Sequence, residues 1–164
     1  MVWSHLHGLI PERLYKVSDN ITTTAPDKQV SLLLTAALQY AELGMAVFPV
    51  YEPDPSKKGG CSCGRADCHS PGKHPRTKNG VKDASKDPET IKAWWEKHPN
   101  ANIGIATGKI SGMMVLDIDG EEGEESLKNL EAEHGRLPDT TQARTGRGRH
   151  LCFRYPDQGK VKNA

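Results

Sequence analysis

The chain has 164 residues, which suits one domain or one domain with a small appendage. Its hydrophobic fraction of 35% is low but allows a modest core. Its formal net charge of +1 excludes a strong overall electrostatic attraction for polyanions. Any contact with nucleic acid must therefore rest on local basic clusters, which occur at 57–58, 73–78 and 144–149. No apolar stretch is long enough to span a bilayer and no signal-peptide pattern opens the chain, so we expect a cytoplasmic protein without membrane contact.

The first part of the chain predicts an arm followed by a helix and a strand. Residues 1–25 show no sustained period and are interpreted as a loosely ordered arm. From Pro26 the apolar residues follow the spacing of one helical face, which predicts a helix over 27–43 that Gly44 ends. Residues 45–50 predict a short strand that leads into a proline-rich loop.

Three cysteines within eight residues, and a histidine close behind them, stand in a polar loop without apolar periodicity. Thiolates and an imidazole match the ligands of a closed, structural Zn²⁺ site, and in a reducing compartment such clustering favours a metal over disulfides. The predicted ligands are Cys61, Cys63, Cys68 and His74. His69 is the less favoured alternative to His74, because it directly follows a ligand and would have to fold back sharply.

The segment after this loop predicts a second helix and a further strand. An N-capping aspartate followed by proline begins a helix over 87–98. We interpret Trp94 and Trp95 on this helix as packing residues rather than as a platform for stacking bases. Residues 102–106 alternate in polarity and predict a strand that ends in small residues.

An apolar run from Met113 ends in two acids before Gly120 and predicts a strand buried on both faces of a sheet. Because side chains alternate along a strand, Asp117 and Asp119 share one face with Val115, with their Cα atoms about 6.6 Å apart. Two carboxylates at the open end of a central strand repel each other unless a cation neutralises them, which favours Mg²⁺ or Mn²⁺. A solvated strand end followed by a turn and a helix cap is the alternative.

The last part of the chain predicts a helix and a hairpin. The acid-rich residues 121–134 predict an amphipathic helix with a solvated face. Residues 140–155 predict two strands joined by a glycine-rich connection at 145–150. A plain hairpin with a basic tip explains the glycines equally well, but it does not explain the histidine that enters the second strand. The side chains of the connection that can donate hydrogen bonds to phosphate are Arg147, Arg149 and His150.

Six short motifs follow one another in the region from 37 to 155. They are Gly-Lys-His-Pro at 72–75, Asp-Ala-Ser at 83–85, Trp-Trp at 94–95, Asn-Ile-Gly-Ile-Ala-Thr-Gly at 102–108, Val-Leu-Asp-Ile-Asp-Gly at 115–120 and Thr-Gly-Arg-Gly-Arg-His at 145–150. In this order they resemble the bifunctional DNA primase/polymerase N-terminal domain (prim-pol) of the archaeo-eukaryotic primase superfamily.

The resemblance implies an α+β fold with a primase-type, RRM-like catalytic sheet flanked by helices and a zinc-stabilised loop over 57–80. It implies that Asp117 and Asp119 bind catalytic Mg²⁺ or Mn²⁺ and that His150 contacts the triphosphate of the incoming nucleotide. The implied activity is that of a nucleotidyltransferase, a DNA primase and polymerase that makes and extends primers from NTP or dNTP on a single-stranded DNA template by two-metal catalysis. The implied setting is the replication of a phage, plasmid or prophage.

Two departures from the family pattern shape this expectation. The glycine-rich turn before the histidine is often longer in the family, and here Arg149 stands next to His150, which bears on the local phosphate contacts. The second departure is an acid that this sequence lacks. The family has a third acid on a later strand, so we expect 26–164 to be a catalytic domain that is incomplete at its C-terminal end and inactive as it stands, in a parent protein with a helicase domain downstream. Residues 115–120 also resemble the start of a haloacid-dehalogenase phosphatase, although Glu121 is atypical there. A non-catalytic, zinc-bearing DNA-binding module is the third interpretation.

Overall fold

The computed structural model describes residues 2–3, 32–159 and 161, which divide between two compact units. The first unit contains 32–112 and β1 (Val2–Trp3), and the second contains the described residues from 113 onward. Apart from β1, the predicted arm lies outside the described residues. Helices and small antiparallel sheets occur in both units, which confirms the α+β class. No helix in the described part of the chain is long and apolar enough to cross a membrane.

The first unit combines two helices with a three-stranded antiparallel sheet of order β1-β3-β2. Its further elements are α1 (Leu32–Glu42), β2 (Val47–Val50), α2 (Pro88–Lys97) and β3 (Asn102–Ile105), with a short 3₁₀ helix at Gly80–Asp83. The two helices pack on each other and both contact β2. These bounds agree with the predicted elements to within a few residues, and the predicted start of the first helix at 27 lies outside the described residues.

Local capping and side-chain burial explain why these elements form where they do. Asp87 caps α2, since its carboxylate accepts hydrogen bonds from the backbone N–H of Thr90 at 2.8 Å and from its hydroxyl at 2.6 Å. Trp95 is fully buried, and its indole N–H donates to the carbonyl of Ala101 at 3.0 Å. This confirms the packing interpretation for Trp95. One cluster of the core is formed by Ala46, Phe48, Val50 and Ala106.

The second unit is a three-stranded antiparallel sheet of order β4-β6-β5 with one helix packed on it. Its elements are β4 (Met113–Asp119), α3 (Gly120–His134), β5 (Thr141–Arg144) and β6 (Gly148–Arg154). Ile118 and Leu151, from the two paired strands, pack with Leu127 of α3 to form its core. Because side chains alternate along β4, Ile118 and the two predicted metal-binding carboxylates point to opposite faces, so α3 covers the face away from the carboxylates.

The prediction that β4 is a central strand buried on both faces is wrong. Within the described part of the chain β4 lies at an edge of the sheet, and only Met113 and Ile118 of this strand are buried. Asp117 and Asp119 are exposed. The apolar run has two sources: Leu116 and Ile118 pack in the cluster under α3, whereas on the other face Met113 is buried and Val115 is half-buried.

The predicted connection at 145–150 is too long, because β6 begins at Gly148. Gly148 pairs with Asp119, and a Cβ atom at position 148 would lie 1.8 Å from the carbonyl oxygen of Ile118. A glycine is therefore required for the two strands to remain paired up to the end of β4. As a result His150 lies within β6 and not in a loop.

Candidate functional site

The loop between β2 and α2 brings three cysteines and a histidine around one point. The ligand atoms of Cys61, Cys63, Cys68 and His74 all lie within 4.8 Å of one another. His74 Nε2 lies 3.4 Å from Cys61 Sγ and 3.5 Å from Cys68 Sγ. Tetrahedral zinc, with Zn–S about 2.3 Å and Zn–N about 2.0 Å, places sulfur and nitrogen ligands about 3.6 Å apart. The cluster could therefore hold a metal such as zinc, with all four ligands supplied by the protein.

Backbone pairing fixes the positions of the first and the last of these ligands, Cys61 and His74. Cys61 forms a β-bridge with Pro53, and the carbonyl of His74 accepts a hydrogen bond from the N–H of Tyr51 at 3.0 Å. Gly72 lies between them with φ of +72°, and a Cβ there would lie 2.8 Å from the ring of Pro53. A glycine is needed at this close approach, which returns the chain toward the first cysteine.

The environment of the cluster favours an ionised sulfur. Burial opposes ionisation of Cys61, but hydrogen bonds from the backbone N–H groups of Cys63 and Gly72 and the contact with His74 outweigh it and lower the pKa of this thiol to about 6. Desolvation raises the pKa of Cys68, and the neighbouring cysteines add to that rise. Because the thiolate is the form that binds metal, a sulfur that ionises near neutral pH suits a cation site.

Arg76 connects this loop to the rest of the first unit. Its Nη2 donates to both carboxylate oxygens of Glu52, at 3.0 and 2.8 Å, and to the hydroxyl of Ser62 at 3.0 Å. Its Nη1 lies 3.2 Å from Nδ1 of His98, at the end of α2. The arginine side chain is only 13% exposed, so it acts as an internal cross-link and not as a surface charge.

Two aromatic contacts complete the surroundings of His74. Its imidazole stacks on the ring of Tyr51, and the guanidinium of Arg76 lies 4.4 Å from the centroid of the same ring. His69 is exposed and outside the cluster, so the structure brings His74, and not His69, to the cysteines. The role of Arg76 was not predicted from the sequence, in which this residue is one of the basic residues of the cluster at 73–78.

The second candidate site lies in the second unit, on one face of the β4–β6 pair. Asp117 is directly opposite His150, and Asp119 is opposite Gly148. His150 Nε2 lies 3.2 Å from Asp117 Oδ1, and Arg147 Nη2 lies 3.3 Å from Asp119 Oδ2. The carboxylate side chains are 66% and 59% exposed. The structure therefore brings four of the predicted site residues together in two neighbouring contacts, each between an aspartate and a basic side chain.

Arg149 does not join this group. It is next to His150 in the same strand, so its side chain lies on the opposite face. There its guanidinium donates two hydrogen bonds of 2.8 Å to the carboxylate of Glu124 in α3 and one of 3.0 Å to the side-chain oxygen of Gln142. These partners tie the strand to the helix that covers it.

The donor set of the two aspartates fits a hard divalent cation, since carboxylate oxygens are the ligands that Mg²⁺ and Mn²⁺ prefer. One oxygen of each carboxylate contacts a basic side chain, and the other has no protein partner within the described residues. An open depression of about 390 Å³ adjoins the end of β4. It is lined by Gly120, Glu121, Glu124, Arg147 and Gly148.

Comparison with known proteins gives one match. The family model described as "Bifunctional DNA primase/polymerase, N-terminal" matches residues 37–164. This range contains both candidate sites and every element of the structure after α1. Comparisons with curated proteins and with solved structures give no match.

Proposed function

Because the chain belongs to the bifunctional DNA primase/polymerase N-terminal family, as its motif order predicted, we propose that it supplies the catalytic carboxylates of a domain that synthesises short primers on single-stranded DNA and extends them. Family membership implies a nucleotidyltransferase-type enzyme that uses DNA and nucleotides. The observation that carries the proposal is the pair of exposed carboxylates on one face of β4, within the matched range. The proposal includes replication of a phage, plasmid or prophage, and a primase-type, RRM-like arrangement of the catalytic domain over 26–164.

We assign the reacting centre to Asp117 and Asp119, which would hold Mg²⁺ or Mn²⁺. When bound, such ions activate the attacking 3′ hydroxyl and stabilise the pyrophosphate leaving group. The task of the protein is to hold two carboxylates on one face of a hydrogen-bonded strand, where their separation is fixed by the backbone. In this proposal His150 and Arg147 contact the triphosphate of the incoming nucleotide, because they lie beside these carboxylates. Arg149 is a phosphate contact only if it leaves Glu124.

The proposed role of the Cys61, Cys63, Cys68 and His74 cluster is structural zinc binding. A site with four protein ligands has no open position for substrate, so the ion would order the loop at 57–80 and take no part in the reaction. The distances of His74 to two of the sulfurs support zinc, since they match tetrahedral ligand separations.

Primer synthesis from labelled nucleotides on circular single-stranded DNA tests the proposal, with protein extended beyond residue 164, because 26–164 alone is expected to be inactive. Asp117→Asn and Asp119→Asn should each abolish metal-dependent synthesis without unfolding the protein, and the double variant should be little worse than either, because groups that hold the same ions act as a unit. Asp139→Asn, an exposed acid outside the site, is the matched control. Near-normal primer extension by Asp117→Asn would dismiss the two-metal assignment.

The same preparation separates the other two interpretations. Phosphate release from an aryl phosphate that depends on Asp117 would favour the haloacid-dehalogenase phosphatase, which the family match does not support. DNA binding without synthesis at any concentration of Mg²⁺ or Mn²⁺ would favour the non-catalytic module.

A further inference from the structure

A buried histidine touches an exposed carboxylate in the second unit. The side chain of His150 is 9% exposed and that of Asp117 is 66% exposed, and their Nε2 and Oδ1 atoms lie 3.2 Å apart. The contact is a close ion-pair distance rather than an aligned hydrogen bond, but the carboxylate is exposed, so rotation of its side chain can bring Oδ1 into line with an N–H on Nε2. The two residues are directly opposite on paired antiparallel strands, so the backbone itself holds them side by side.

The surroundings of the other ring nitrogen of His150, Nδ1, support Asp117 as the partner of Nε2. His150 is the one buried polar residue in the part of the chain that the structure describes, and its Nδ1 is buried without a hydrogen-bond partner there. Buried polar groups almost always have a partner. If the neutral ring carries its proton on Nε2, it can donate to Asp117 and only the lone pair of Nδ1 is left unpaired.

We propose that His150 is a positioning residue for Asp117, to which its Nε2–H donates so that the carboxylate keeps one orientation and offers its free oxygen, Oδ2, to a divalent cation. The cation in this inference rests on the proposed function, whereas the contact between His150 and Asp117 does not. It concerns the protein before any nucleotide binds, and because a neutral ring has a single N–H, the contact with the triphosphate in the proposed function would require this N–H to turn from Asp117 to the phosphate. Residues that orient metal ligands in this way commonly change metal affinity by about tenfold or more.

The second carboxylate provides an internal comparison. Asp119 contacts Arg147, but the side chain of Arg147 is 82% exposed and that of Asp119 is 59% exposed. A pair of exposed, flexible side chains contributes little to orientation. We therefore expect Asp117 to be held firmly and Asp119 loosely, so that loss of the histidine weakens cation binding and loss of the arginine does not.

The test is a titration of Mn²⁺ without nucleotide or DNA, in which electron paramagnetic resonance measures the free ion. His150→Leu fills the buried position with an apolar side chain that cannot donate a hydrogen bond, and it should weaken Mn²⁺ binding at the aspartates about tenfold. His150→Gln keeps an N–H donor at a similar reach and should retain most of the affinity. Cys152→Ala changes the next buried residue on the same face of β6 and should leave the affinity unchanged.

A second measurement does not depend on the metal. Nitrogen-15 NMR of the His150 ring, recorded at alkaline pH so that an imidazole is neutral, should show a proton on Nε2 and none on Nδ1, and Asp117→Asn should shift these resonances. The proton on Nδ1 would overturn the inference, and so would wild-type affinity for Mn²⁺ in His150→Leu. If wild-type protein and Asp117→Asn bind Mn²⁺ equally, the proposed cation site fails and the NMR result alone decides the contact. If His150→Leu does not fold, the affinity of His150→Gln and the NMR result decide it.

Discussion

The imidazole of His74 stacks on the phenol ring of Tyr51, with ring centroids 4.6 Å apart and planes inclined by 29°. Tyr51 directly follows β2, and the guanidinium of Arg76 lies over the same ring. A proposed zinc ligand is therefore held by contacts with the body of the first unit as well as by its own loop. We expect metal binding and the stability of this unit to depend on each other, because the ordered loop and the strand share these contacts.

The first prediction is that the chain binds one zinc ion at the Cys61, Cys63, Cys68 and His74 cluster. Cys68→Ser and His74→Ala should lose the ion, because each removes a ligand from a four-coordinate site, and both should unfold at a lower temperature. Elemental analysis of protein purified without chelator, together with calorimetry, measures both effects.

The matched control for the histidine is His69→Ala, since this residue is exposed and outside the cluster. It should keep its zinc and its melting temperature. Wild-type protein without zinc would contradict the assignment, and loss of zinc in His69→Ala with retention in His74→Ala would exchange the two histidines.

The second prediction concerns the internal cross-link made by Arg76. Arg76→Met should cost about 2 kcal/mol of unfolding free energy, because it leaves the largely buried carboxylate of Glu52 without its partner. Arg76→Lys should recover little, since one ammonium cannot bond Glu52, Ser62 and His98 together. Urea unfolding followed by circular dichroism measures the change.

The exposed pair of Lys92 with Glu89 is the control for this cross-link. Lys92→Met should change stability far less than Arg76→Met does, as expected for a solvated pair within one helix. Equal effects of the two substitutions would show that Arg76 contributes no more than a surface charge.

The third prediction is a loss of stability in mild acid that depends on His98. Partial burial, and then the positive charges of Arg76 and Lys97, lower the pKa of this histidine below its ordinary value, while Glu52 opposes them. The unfolded chain therefore takes up the proton first as the pH falls below about 6.5, so stability is full above that pH and declines below it.

His98→Asn isolates this effect, because the asparagine oxygen can still accept from Arg76 and does not titrate. Between about pH 7.5 and about pH 5.5 the wild type should lose more unfolding free energy than the variant does. Identical losses in urea unfolding at the two pH values would mean that His98 titrates normally in the folded chain.

Sequence patterns predicted the features that depend on neighbouring residues. The spacing of Cys61, Cys63 and Cys68 and the shared face of Asp117 and Asp119 follow from the geometry of one loop and one strand. The strands and helices also agreed closely, because their caps and periods are local signals. The resemblance to the primase/polymerase family rested on the order of such local motifs, and the family match confirmed it.

Features set by distant residues could not be predicted in this way. Arg76 is 24 residues from Glu52 and 22 from His98, so no local pattern connects them. The edge position of β4 depends on strand order, which apolar content does not determine. The early start of β6 depends on the close approach of Gly148 to Ile118, and a glycine-rich segment fits a loop equally well in sequence alone.

The last prediction separates the two arginines that the sequence presented as equivalent. Arg147 is 82% exposed and, among the described residues, its side chain pairs with Asp119 alone, so Arg147→Ala should leave stability within about 0.5 kcal/mol of the wild type. Its effect should be on ligands: affinity for nucleotide triphosphate or single-stranded DNA should fall, and the difference should shrink as salt increases, because the contact is electrostatic. Titration of a fluorescent nucleotide and of an oligonucleotide, each at low and high salt, measures this.

Arg149→Ala should show the opposite pattern, because its guanidinium ties β6 to α3 through a bidentate pair with Glu124. We expect a loss of about 1 kcal/mol in urea unfolding, at the upper end for a partly exposed pair, and little change in nucleotide affinity. Glu124→Gln should reproduce most of that loss, since it removes the same pair from the other side. If Arg149→Ala instead weakened nucleotide binding at unchanged stability, its guanidinium would have to leave Glu124 for the phosphates, and both arginines would then belong to the nucleotide site.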